Sequence, residues 1–308
     1  MKISCIVVTH NSSGTISKCL DSVFSQSYAD KEVFVVDNGS IDKTIDMVMS
    51  GYPQVKLISN GGNVGAAEAR NQAIDQATGD WVLSLDSDAF LREDFLSGFC
   101  DFLMGSWSGM PPSAAIPGPS CVAGMPLSVA ILAPKIYYPG SEVFYSAGQR
   151  LTPLRRFYEL GHNKKDIGQF DRGGEVFGAC SATAFYRRDM LKDIKEASGY
   201  FDKGLFYMVE DVDLSWRARK KGWKAYACPA CVSFHSGSGS GFSAKDKKLL
   251  SIRNRFIMML KNDHKARLIL FSLPLALYEV SRFIYLLCKK EGDIYVRAVI
   301  SALEWRNK

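Results

Sequence analysis

Four short apolar runs, each closed by a polar turn and followed by an amphipathic stretch, divide this chain up to residue 88. The runs are 3–9, 33–37, 55–59 and 81–85. Nearly unbroken apolar strands are buried on both faces, which is the habit of a parallel sheet covered by helices. Between the first two runs, Ser12 or Ser13 is placed to cap a helix with Ile16, Leu20, Val23 and Phe24 on one side. Ser40 is placed to cap the next, with Ile41, Ile45 and Val48 inward, and 63–76 forms a third whose Ala66, Ala67, Ala69 and Ala73 allow close approach to the sheet. The repeat specifies a doubly wound α/β unit. Beyond it, 105–126 is rich in glycine, proline and serine and is expected to be a long loop. Strands are expected at 129–138 and 177–186, and a helix at 210–222, with acids in its first turn, cations in its last turns and Gly222 as its stop.

At 308 residues the chain can bury about three quarters of its unfolded surface and needs no disulfide to fold. The net charge of +6, with cations thickening between Lys245 and Arg267, points to an anionic partner. Nucleic acid is excluded as that partner, because arginine-rich tracts, zinc-finger spacing and RNP-like aromatic strands are lacking. The eight cysteines are scattered, and Cys5, Cys100 and Cys288 sit in apolar runs as reduced core thiols do, which favours the cytoplasm. No secretory signal is read at the start. The longest apolar stretch, 268–278, contains Pro274 and soon meets Glu279 and Arg282, so an interfacial or core helix is expected rather than a membrane span.

Open parallel sheets bind ligands beyond the carboxyl ends of their strands. There the chain carries 9–11, 37–40, 59–63 and 86–88, all polar. The first turn lacks the glycine pattern that wraps a pyrophosphate, and no P-loop occurs, so a phosphate ligand needs another source of neutralising charge. Asp86 and Asp88, one residue apart at a strand end, can engage a divalent cation, magnesium or manganese, although aspartates so placed also serve as turn residues. Cys228 and Cys231 precede His235, but a closed zinc site requires four ligands and there is no second C-x-x-C.

Segments 6–11 (IVVTHN), 35–40 (VVDNGS), 61–71 (GGNVGAAEARN) and 83–88 (LSLDSD) together resemble family 2 glycosyltransferases of the GT-A fold. The resemblance resumes at 199–202 (GYFD), 210–217 (EDVDLSWR) and 235–237 (HSG), where it is most similar to a rhamnosyltransferase-type branch. It implies an α/β GT-A domain over 1–260, with a nucleotide-binding half at 1–104 and an acceptor and catalytic half at 127–260, followed by a helical extension at 261–308.

Carried over position by position, the resemblance puts Thr9 and Asn11 in a nucleoside pocket and Asp37 on the base or ribose. Asn63 and Arg70 fall near the donor phosphates or sugar, Asp86 on the sugar or ribose side, Asp88 and His235 on the metal, and Asp211 as general base. Structural roles compete: a turn for Asp37, pairing with Glu68 or Asp75 for Arg70, a helix N-terminus for Asp211, and an ordinary strand end for His235. The implied reaction is inverting transfer from a nucleotide diphosphate sugar (a dTDP, UDP or GDP sugar) to a glycan or lipid-linked hydroxyl. It is expected to be non-processive, since no Q-x-x-R-W motif occurs. A non-catalytic nucleotide-sugar-binding protein would not need Asp211, and a nucleotidyltransferase normally brings an early glycine-rich turn. The apolar segments beyond residue 267 are bracketed by cations, which suits peripheral contact at the inner face of the cytoplasmic membrane, or a helical pair packed on the core or on a second subunit of a homo-oligomer.

Overall fold

Ile3, Cys5 and Val7 point to one face of strand β1 (Ile3–Thr9), Ile6 points to the other, and all four are fully buried. The computed structural model describes residues 1–105, 121–122, 125–237 and 241–306. In it β1 lies within a parallel set with β2 (Lys31–Asp37), β3 (Lys56–Ser59) and β4 (Trp81–Asp86), in the order β3-β2-β1-β4. Helices α1 (Ile16–Phe24), α2 (Thr44–Gly51) and α4 (Phe95–Leu103) cover the face of Ile3, and α3 (Ala66–Gln76) covers that of Ile6. Ala67, Ala69 and Ala73 of α3 are fully buried, so the helix lies close on the sheet.

Two caps differ from expectation. Helix α1 starts only after Thr15, and Ser12 Oγ instead bonds Ser87 Oγ at 2.7 Å. Helix α2 starts after Lys43 because Ser40 is held in a turn by the Asp37 carboxylate, which leaves Ile41 93% exposed. Gly39, at φ +73°, closes that turn where an added Cβ would come within 2.6 Å of Gly62 Cα.

After β4 come β5 (Ala89–Leu91) and α4, and then the expected 105–126 loop, most of which lies outside the described residues. Its described end carries the small hairpin β6 (Cys121–Val122) and β7 (Met125–Pro126). Next come β8 (Val129–Tyr137), β9 (Phe144–Ser146), β10 (Gln149–Leu151), β11 (Phe157–Glu159), β12 (Gly174–Val176), β13 (Thr183–Arg187), α5 (Arg188–Ile194), α6 (Glu210–Lys220) and β14 (Lys224–His235). Strand β13 enters antiparallel between β4 and β8, while β14 runs parallel to β8. The strand expected from 177 begins only at Thr183. Gly178 comes so close to α6 that an added Cβ would clash with Ser215, so the chain there bends around α6 instead of joining the ladder.

The first four strands reverse their order at β1 and β4, which opens a crevice at their carboxyl ends. Thr9 pairs with Asp37 in register and Val8 with Asp86, so these polar ends form one row. In α6, Asp213 is fully buried and bonds Arg217 Nε at 2.8 Å and Asn262 Nδ2 at 2.6 Å, which gives it a structural role.

The chain ends in α7 (Ala244–Asn262), α8 (Lys265–Leu270), α9 (Ser272–Cys288) and α10 (Gly292–Arg306). The boundary expected at 260 therefore falls inside α7, whose Ile252 and Ile257 pack against Ala298 and Ala302 of α10. No helix among the described residues is long and apolar enough to cross a membrane. Cys5 is buried as expected, but Cys288 is exposed at the end of α9. Cys228 and Cys231 are buried free thiols with sulfurs 3.3 Å apart, and burial pushes the Cys231 pKa well up, as it does for an inert core thiol.

Candidate active site

Strand β14 ends on His235, and its antiparallel pairing with β5 sets His235 opposite Ala89, just after the Asp86–Asp88 turn. His235 Nε2 lies 3.0 Å from Asp88 Oδ1 and 3.7 Å from Asp86 Oδ2. The ligand atoms of all three lie within 4.8 Å of one another. Asp88 and His235 are buried, and the Tyr145 ring packs edge-on to the imidazole at 4.4 Å. His235 Nδ1 is buried and has no hydrogen-bond partner. Two carboxylates and one imidazole form a donor set that fits a divalent cation accepting both oxygen and nitrogen.

Arg70 of α3 holds the turn from below. Its Nη2 bonds Asp86 Oδ1 at 2.7 Å, Nη1 bonds Glu210 Oε1 at 2.9 Å, and Nε bonds Ser84 Oγ at 3.0 Å. The guanidinium is thus committed to the protein, and its partners are neither Glu68 nor Asp75. Asp86 thus has a cationic partner within the chain. Burial still pushes the Asp86 pKa up despite Arg70, so this carboxylate gains from added positive charge.

Asp211 opens α6 on the opposite wall. Gln149 Nε2 at 2.9 Å and the Ser181 backbone N–H at 3.1 Å both donate to Asp211 Oδ2. The same Gln149 amide donates to Glu159 Oε1 at 3.0 Å, and Cys180 completes the group. Burial, followed by the charge of Asp211, pushes Glu159 up to about 8, and burial also raises Asp211. Two carboxyls so close in a poorly solvated place titrate as a pair, and the second proton leaves late.

The approach to Asp211 is a strained loop. Phe206, Met208 and Val209 have φ of +64°, +71° and +74°, costly above all for β-branched valine. Asn254 of α7, fully buried, donates from Nδ2 to the carbonyls of Leu205, Tyr207 and Met208, so α7 over-determines the loop. The loop also leans on the first half, since Phe206 O accepts from Ala67 N and lies where a Cβ on Gly65 would be.

One cavity of about 370 Å³ brings together Thr9, Asn63, Arg70, Asp86, Asp88, Asp211 and His235. Asn11 and Asp37 do not line it. Asn11, at φ +50°, accepts from Ile41 N, and Asp37 is fully buried and spends its carboxylate on Gly39 and Ser40. Their sequence neighbours His10 and Asn38 do line it. Thr9 Oγ1 is buried there without a partner, whereas Asn63 Oδ1 accepts from Gly65 N. Sequence reasoning missed Glu159, Gln149, Tyr145 and Lys247, all of which line the cavity. The first three lie on or beside short antiparallel strands without a periodic signal, and Lys247 was one cation among several.

A doubly wound sheet whose switch-point crevice holds a D-x-D pair, faced by a helix-borne acid, has the architecture of a GT-A glycosyltransferase. Residues 4–105 match the model of glycosyl transferase family 2. An uncharacterized glycosyltransferase of Haemophilus influenzae is 33% identical over 105 residues, which cover 33% of this chain and 42% of that protein. The poly(ribitol-phosphate) beta-glucosyltransferase of Bacillus spizizenii is 35% identical over 108 residues, covering 33% of this chain and 17% of that protein. The matched region thus spans less than half the length of these curated relatives. A mannosyltransferase from Pyrobaculum calidifontis, solved with GDP-Man and Mn2+, shares the fold at TM-score 0.57 and 16% identity, over 98% of this chain and 87% of that one.

A carboxyl kept protonated in the folded chain binds more protons there than in the unfolded chain, so its stabilising contribution is lost as pH rises. For Glu159 the window runs from the ordinary 4.5 to about 8. Denaturant titrations across that range should show stability falling with pH, and Glu159→Gln should flatten the fall. An unchanged slope in the variant would remove Glu159 as its source.

Proposed function

We propose that this protein transfers a sugar from a nucleotide diphosphate donor to a glycan or lipid-linked hydroxyl, with inversion, with a divalent cation, and one or a few sugars at a time. The observation that carries the reading is the single cavity in which the Asp86, Asp88 and His235 set faces Asp211. Thr9, with its unpartnered hydroxyl, suits the nucleoside end, and Asn63 the donor phosphates or sugar. Asp88 and His235 would hold the cation with Asp86 beside them, and when bound it supplies positive charge to the leaving diphosphate. A nitrogen ligand favours manganese over magnesium, which prefers an all-oxygen shell. The fold neighbour that holds GDP-Man and Mn2+ is in keeping with this choice. dTDP-rhamnose, UDP sugars and GDP sugars all remain within the donor class.

The acceptor oxygen bonds to the anomeric carbon from one face as the bond to the diphosphate oxygen breaks on the other, and the leaving diphosphate takes that electron pair. Asp211 receives the acceptor proton, and the Gln149 and Ser181 donors hold its carboxylate in place. Arg70 lines the cavity and fixes Asp86, with its guanidinium bonded to Ser84, Asp86 and Glu210. Lys247 has no salt bridge among the described residues and lines the cavity, so it is the cation suited to the leaving diphosphate.

Peripheral contact with the cytoplasmic face of a membrane is supported by α9. Leu273, Leu277, Val280, Ile284 and Leu287 form an exposed stripe, with Lys265 and Arg267 before it and Lys289 and Lys290 after it. The outward half of this helix carries no charged side chain that would face a partner helix, which favours lipid over a second copy of the chain.

Asp211→Asn should keep donor affinity and lose transfer by about a hundredfold or more, whereas Asp88→Ala should lose the metal dependence of donor binding along with turnover. Calorimetry with and without Mn2+, beside initial rates, separates the two effects, and transfer undiminished in Asp211→Asn would move the base elsewhere. Flotation with anionic liposomes should occur at low salt and weaken at high salt. Absence of flotation at low salt would remove the membrane contact and leave the transferase reading standing.

A further inference from the structure

A second cavity, of about 600 Å³, adjoins the first, and Phe157 at the start of β11 borders both. Arg156, Arg255 of α7 and Arg282 of α9 line it, together with Tyr278 and Tyr285, and no carboxylate does. Arg255 is already committed: Glu279 pairs with it, and the carbonyls of Leu154 and Arg155 accept from it. Arg156 and Arg282 make no salt bridge among the described residues, and Arg282 Nη1 is buried with no hydrogen-bond partner. Burial pushes the Arg282 pKa down and neighbouring Arg255 pushes it further, while Tyr278 and the Glu279 carboxylate, itself paired with Arg255, offset only part of that cost.

Two uncommitted guanidinium groups beside tyrosine hydroxyls match an anion with several oxygens better than a single carboxylate, which one fork would satisfy. Tyr278, Arg282 and Tyr285 lie on one stripe of α9, about 150° around the helix from the exposed leucine stripe. The cavity therefore lies on the side of α9 turned away from that stripe, next to the cavity that holds Asp211. We propose that the Arg156 and Arg282 cavity binds a phosphate group carried by the sugar acceptor, so that the acceptor reaches Asp211 past Phe157 while its phosphate stays outside the donor cavity. This rests on the glycosyltransferase reading and names the acceptor class: a phosphate ester or diphosphate, lipid-borne or soluble.

The test uses the full chain in chelator, so that no metal draws phosphate into the donor cavity. Phenyl phosphate serves as the soluble probe, and phosphatidylcholine vesicles with or without phosphatidic acid serve as the lipid probe. Wild-type protein should bind at least one phosphate probe. Arg282→Gln and Arg156→Gln should each weaken that binding about tenfold or more, as loss of a charge-assisted hydrogen bond does, and Arg282→Lys should retain most of it. Arg156 is exposed, so its variant keeps the test valid should Arg282→Gln fold poorly. Binding confined to phosphatidic acid vesicles assigns a lipid acceptor, and binding of phenyl phosphate assigns a soluble one. No binding of either probe, or equal binding by wild type and both glutamine variants, overturns the proposal. Release of nucleoside diphosphate to water in Mn2+ without acceptor, expected to be unchanged in Arg282→Gln, reads the transferase activity separately. A failure of that readout counts against the donor chemistry and not against the phosphate site.

Discussion

Arg70 is the interaction on which the site depends. It is almost wholly buried and spans from Asp86, at the end of a first-half strand, to Glu210, at the start of the helix that carries Asp211. Removing it would leave two carboxylates in a poorly solvated place without their counter-charge, a loss of about 3–5 kcal/mol for a buried pair broken from one side. Even with Arg70 present, burial holds Glu210 up near 7 and raises Asp86. The site is therefore short of positive charge as built. A cation beside Asp86 and Asp88 would relieve that shortage, and Asp86 belongs both to the clamp and to the candidate metal set.

Around this clamp, each half contributes what the other lacks. The parallel half supplies the crevice and the D-x-D turn, because its strand order reverses at β1 and β4. The mixed half supplies His235 through the β5 and β14 pairing, and Asp211 through a helix whose entry loop is strained and pinned by Asn254. Strain at Val209 fixes the direction in which α6 begins, and so where Asp211 points. The α7 helix that pins this loop also packs against α10 and lines the arginine cavity, so the carboxyl-terminal helices are part of the machinery rather than an appendage.

The first strands and helices were legible because strands buried on both faces leave unbroken apolar runs, and because alanines mark a helix lying close on a sheet. The caps were not, since Ser40 is drawn to Asp37 and Ser12 to Ser87, contacts that spacing alone does not reveal. Asp86, Asp88, His235 and Asp211 were picked out by motif, and the structure brings them to one cavity. The partners of Arg70 lie 16 and 140 residues away, beyond any local pattern, and so its commitment to the protein was hidden. Glu159 and Gln149 stand on three-residue strands that no periodicity announces.

The central claim is that this cavity releases a nucleoside diphosphate from a sugar donor. Incubation of the purified chain with UDP, GDP and dTDP sugars and Mn2+, with the products resolved by phosphorus NMR, tests it most directly. The account predicts nucleoside diphosphate from at least one donor and none when the metal is chelated. Release of pyrophosphate, or of no product from any donor, would contradict it.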